Sequence, residues 1–165
     1  MSIMNSPIIR LGTANEIDIA CDIALLAWTP IYEYRRQQMG DVLFDHLFSN
    51  WRETKPQEIR GLCEKHLDQL LVLEADHQIQ GFATFLIDPE KSLGIIGNNA
   101  VRPESQGNGY GKLLHLALLE EFRKRRFQYA QVLTGLDPAH DAARGSYLKA
   151  GFTLSYAYGI YHMEL

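Results

Sequence analysis

"VRPESQGNGYGKLL", residues 101–114, sets three glycines at alternate positions, Gly107, Gly109 and Gly111, between a β-branched apolar run and a helix-like one. Glycine has no Cβ, so such a cluster marks backbone that turns through positive φ, that comes close to another group, or both. The helix that opens directly after the loop presents unpaired N–H groups and the positive end of its dipole, a combination suited to phosphate. The stretch reads as an anion cradle fed by a strand and continued by a helix. Its plain alternative is a tight turn.

Spacing separates the anions. A nucleoside-triphosphate loop needs Gly-x-x-x-x-Gly-Lys followed by Ser or Thr, but here Gly111-Lys112 is followed by Leu113 and Gln106 stands where the first glycine belongs. A dinucleotide fingerprint counted from Gly107 puts Lys112 at the third glycine, and the next strand ends in Thr134-Gly135 rather than an acid. Both readings fail.

Working outward, "PIIRLG" predicts a first strand and residues 13–40 a helical run that Pro30 breaks in two. "GDVLFDHLFSNW" and "PQEIRGLCEKHL" predict short helices, the second with Pro56 in its first turn. "LLVLEADHQIQGFATFLID" is the pattern of an antiparallel hairpin, and "SLGIIGNNAV" is the fourth strand. After the loop come a helix over 110–126, a strand "YAQVLTG", a helix near 139–150 and two closing strands in "FTLSYAYGIYHMEL". The expected architecture is one α/β domain spanning 1–165, a mixed and mostly antiparallel twisted sheet flanked by helices.

One glycine pattern fits without adjustment: Gln/Arg-x-x-Gly-x-Gly/Ala at Gln106, Gly109 and Gly111. It follows Val101-x-Pro103 and precedes, one strand later, Tyr-x-x-x-Gly-Phe at Tyr147, Gly151 and Phe152. This ordered pair of segments resembles the GNAT superfamily of acetyl-CoA-dependent N-acetyltransferases, most strongly over 93–165. The resemblance implies that the sheet splays between strands 4 and 5 and that the cosubstrate is acetyl-CoA. It implies direct transfer to a primary amine, with the pyrophosphate held by the loop at Gln106, Gly107, Asn108, Gly109, Tyr110, Gly111 and Lys112. It also implies that the thioester lies beside strand 4, where a backbone N–H of Ala100 or Val101 donates to its carbonyl, and that Tyr147 protonates the departing thiolate. His140 occupies the place of a residue that contacts pantetheine.

Residue chemistry bears on the same assignments. A phenol of pKa near ~10 suits a thiol leaving group; a packed helix aromatic is the alternative for Tyr147. Asn98 and Asn99 are poor strand formers, so their presence marks a site or a bulge, and Asn99 is taken as a catalytic candidate. Lys112 is either a phosphate ligand or a solvated first-turn residue. Many relatives carry a glutamate near the end of strand 4, whereas Gly97-Asn98-Asn99 holds no carboxylate. The base is therefore sought among Asp137, His140, Asp141, Glu33 and Tyr161, or in water. His140 with its two aspartates also reads as a capping cluster, and no metal site is expected. Trp28, Ile31, Tyr32, Tyr34, Phe44 and Trp51 are core by spacing, with one or two left to wall an acceptor pocket.

The net charge of −4 disfavours a nucleic-acid partner. Cys21 and Cys63 form no paired motif and read as buried thiols, and neither of them lies in the loop or near Tyr147, which argues against an acetyl-enzyme. No apolar run is long enough to cross a bilayer, and the opening residues lack a leader pattern, so a cytoplasmic protein is expected. A homodimer is open to such a chain. The alternative function is a non-catalytic coenzyme A-binding module.

Overall fold

The apolar runs become strands β1 (Ile8–Leu11), β2 (Leu70–Ala75), β3 (Gln78–Asp88), β4 (Leu93–Val101) and β5 (Tyr129–Val132), which form one sheet in that spatial order. The computed structural model describes residues 6–165. β1 to β4 pair antiparallel, while β4 and β5 run parallel. A parallel pair needs a crossover, supplied by α4 (Tyr110–Lys124). Asp76 and His77 turn the β2–β3 hairpin with φ of 51° and 62°, the left-handed pair a two-residue loop demands.

Helices α1 (Ile17–Met39), α2 (Asp41–Phe48) and α3 (Trp51–Cys63) precede the hairpin, and α5 (Asp141–Ala150) follows β5. Alternation along β2 assigns the two faces. Leu70 and Val72 pack with Phe82 against Ile23, Ala24 and Ile59 of α1 and α3. Leu71 and Leu73 pack with Phe85 and Ile96 against Leu114, Leu118 and Phe122 of α4. With both faces covered, the strand reads as an unbroken apolar run.

Three expectations are corrected. Pro30 does not divide the helical run: α1 is continuous, because Ile23 and Ala24 before it and Ile31 and Tyr32 after it are all buried. That packing outweighs the ~3 kcal/mol an interior proline costs. Pro56 is likewise inside α3, which starts at Trp51. The two closing strands do not form: residues 152–165 carry no regular structure. Alternating residues make a strand only against an edge, and the chain leaves α5 through Gly151 (φ 105°) without pairing.

The splay between strands 4 and 5 is present. β5 pairs with Leu93 to Ile96 only, so β4 continues through Gly97–Val101 with its β5-facing edge free. On the other side, Ala83 pairs with Asn99 and Phe85 with Ile96, which makes Gly97-Asn98 a bulge.

Candidate active site

The glycine loop leads from β4 through a 3-10 turn (Pro103–Ser105) into α4. Gly107 and Gly109 take φ of 86° and 80°, and Gly109 is the residue before the first turn of the helix. A Cβ at either would meet no protein atom within 4 Å, so backbone conformation is what requires glycine there, and the space before the loop is open. Gly111 serves differently, since a Cβ there would lie 3.1 Å from Ser146 Oγ. Two glycines turn the chain and the third lets α4 approach α5.

The polar loop side chains hold the loop itself. Gln106 Nε2 donates to Val101 O at 3.3 Å and Asn108 Nδ2 to Ser105 O at 3.1 Å. Lys112 is exposed, Tyr110 is half-buried against the α4 core, and no side chain caps α4. Its first-turn amides are thereby left for an anion.

Beside this loop, Tyr147 is brought to the free stretch of β4. Asn99 Nδ2 donates to Gly97 O and to Tyr147 Oη, each at 3.1 Å, and Tyr147 Oη lies 3.4 Å from Asn99 Oδ1. His115 Nε2 is 3.0 Å from Asn99 Oδ1, and Ser146 Oγ is 2.9 Å from His115 Nδ1. Tyr147 and His115 are 7% and 2% exposed, with rings 4.4 Å apart. Burial raises the Tyr147 phenol above its ordinary value, more than the Asn99 hydrogen bond lowers it. Burial also pushes the His115 imidazole down to about 4. Both groups are neutral near pH 7, and the phenol keeps its proton. The motif around Tyr147 is a helix end: Gly151 is the left-handed cap, Phe152 N–H donates to Tyr147 O at 3.1 Å, and the Phe152 ring stands edge-on to Tyr147.

The other expected site residues fall elsewhere. His140 precedes α5, its Nδ1 is 2.7 Å from Asp137 Oδ2, and Asp141 pairs with Arg144. Burial raises Asp137, but His140 outweighs it and holds the carboxyl below its ordinary value. Arg144 also donates to Gly135 O and Asp137 O, which fixes the turn. Glu33 is exposed on α1, where it lines a cavity of about 300 Å³ with Arg36 and Arg52 that includes none of the Tyr147 group. Tyr161 is 94% exposed. Ile31, Tyr32, Phe44 and Trp51 are core, with Tyr32 stacked 4.2 Å from Trp51; Trp28 and Tyr34 are half-buried.

Ala100 and Val101 lie on the free stretch of β4. Asn98 points to the opposite face from Asn99. Its Oδ1 accepts from Lys55 Nζ at 3.1 Å and its Nδ2 donates to Glu58 Oε1 at 3.1 Å. Burial raises Glu58, but hydrogen bonds from Lys55 and Asn98 outweigh it and hold the carboxyl below its ordinary range. α3 thus brings an ionised carboxylate to the height at which strand 4 has none of its own. Sequence reasoning missed Glu58, His115 and Ser146; the Lys55/Glu58 pair three apart and the histidine within the apolar run "LLHLALL" were the available signals.

Among the described residues, no three His, Cys, Asp or Glu side chains gather to hold a metal ion, and no helix is long and apolar enough to cross a membrane. The model of the acetyltransferase (GNAT) family matches residues 28–152. No curated protein matches the chain. Among solved structures, the PaiA N-acetyltransferase of Thermoplasma acidophilum in complex with coenzyme A is 17% identical, with TM-score 0.67 and 94% of each chain covered. A GNAT family acetyltransferase of Brucella melitensis in complex with acetyl-CoA is 23% identical, with TM-score 0.63, covering 96% of this chain and 92% of that one. The ribosomal-protein-S18-alanine N-acetyltransferase of Escherichia coli is 18% identical, with TM-score 0.63, covering 92% and 80%.

Proposed function

Because this chain belongs to the GNAT acetyltransferase family, we propose that it moves an acetyl group from acetyl-CoA to a primary amine by direct transfer. The observation that carries this reading is the phenol of Tyr147, protonated and held by Asn99 against a stretch of β4 that β5 leaves unpaired. The open loop before α4 fits the cosubstrate's pyrophosphate, which the amides of residues 107–112 would receive. The free edge at Ala100 and Val101 would pair with the pantetheine arm and polarise the thioester carbonyl.

The amine nitrogen bonds to the carbonyl carbon as the C–S bond breaks, and the electron pair leaves on sulfur. Tyr147 gives its hydroxyl proton to that thiolate and recovers one from solvent. The proton released by the amine goes to water: Asp137 and His140 pair with each other, Asp141 pairs with Arg144, and the Glu58 carboxylate is held by Lys55 and Asn98. His140 in this reading supports the turn that leads into α5, the helix that carries Tyr147. The protein acts without a metal and without nucleic acid, in the cytoplasm.

The test is acetyl-CoA turnover over a panel of amines, with free thiol and acetylated amine measured together. Equal yields of the two for at least one amine are expected. Tight coenzyme A binding with no thiol release across the panel would favour a non-catalytic binding module.

A further inference from the structure

We infer that His115 is a positioning residue that orients the Asn99 amide so that the Tyr147 hydroxyl proton stays free for donation. This rests on the reading of Tyr147 as the acid, and it follows from the direction of four hydrogen bonds.

A single backbone carbonyl sets that direction. Gly97 O can only accept, so the Asn99 atom 3.1 Å from it is Nδ2. Oδ1 therefore faces His115, and Nε2, 3.0 Å away, must carry the hydrogen. The groups around the ring are Asn99, Ser146 and Tyr147, with no carboxylate, so the buried imidazole is neutral and its Nδ1 bare. Ser146 then donates its hydroxyl to Nδ1. Asn99 Nδ2 in turn donates to a lone pair of Tyr147 Oη at 3.1 Å, shorter than the 3.4 Å to Oδ1. With the amide reversed, Oδ1 would take up the phenolic hydrogen. Gly111 belongs to the same arrangement, because a side chain there would press on Ser146 Oγ.

The substitutions exploit the shape of amides. Gln at 115 places an N–H near the former Nε2 and can still donate to Asn99, whereas Asn reaches only the Nδ1 position. His115→Gln is expected to hold kcat within about threefold, and His115→Asn and His115→Leu to lower it about tenfold, with coenzyme A affinity nearly kept. Added to Tyr147→Phe, His115→Leu should cause little further loss. A His115→Asn enzyme faster than His115→Gln would overturn the inference, and this contrast decides even if the Leu variant does not fold. Full activity of His115→Leu beside a slow Tyr147→Phe would also overturn it, leaving the acid reading intact. Full activity of Tyr147→Phe would remove both.

Discussion

His115 owes its neutrality to burial without a counter-charge, and that has a measurable cost in acid. In the folded chain its pKa is about 4, whereas the unfolded value is near ~6.5. Because the folded value is depressed, the unfolded chain takes up a proton as pH falls from ~6.5 toward 4 and the folded chain does not, so stability is full above this window and is lost within it. Urea unfolding near pH ~7 and near pH ~5 should show the wild type losing roughly 1 to 2 kcal/mol more than His115→Gln. Equal losses would mean that the imidazole titrates alike in both states. The site was only partly legible at this scale. Tyr147 sits in a local motif and Asn99 in an unusual strand pair, and both are found by reading along the chain. His115, Ser146 and Glu58 act across elements, and a histidine on the apolar face of a helix looks like packing until its partners are known.

Among the elements, the loop and the start of α4 were the most legible, because glycine spacing reports backbone directly. Helix breaks were the least so. Pro30 punctuates the sequence but not the helix, since burial on both sides of it decides. The bulge was one of the two readings of the double asparagine, and the structure has it at Gly97-Asn98, where it sends Asn98 toward Glu58 and Asn99 toward Tyr147. Gly109→Val tests the loop. Its φ of 80° excludes a β-branched residue without strain, while a Cβ there touches no protein atom. Coenzyme A affinity should fall at least tenfold, about 1.4 kcal/mol, by calorimetry on the folded variant. Unchanged affinity would remove the loop from the binding site.

For the whole molecule, strand order followed from alternation and connection length, while the fate of residues 153–165 did not. Period-two apolarity says that a segment can be a strand and is silent on which edge receives it. What the assembled fold does achieve is to carry Tyr147, on a late helix, to the one stretch of β4 that parallel pairing leaves open. The direct measurement of that claim is single-turnover thiol release from acetyl-CoA at saturating amine, comparing wild type with Tyr147→Phe. Removing only the hydroxyl should slow transfer about tenfold or more while coenzyme A affinity stays nearly the same. Transfer at the wild-type rate, where chemistry limits, would contradict the assignment of Tyr147 as the proton donor.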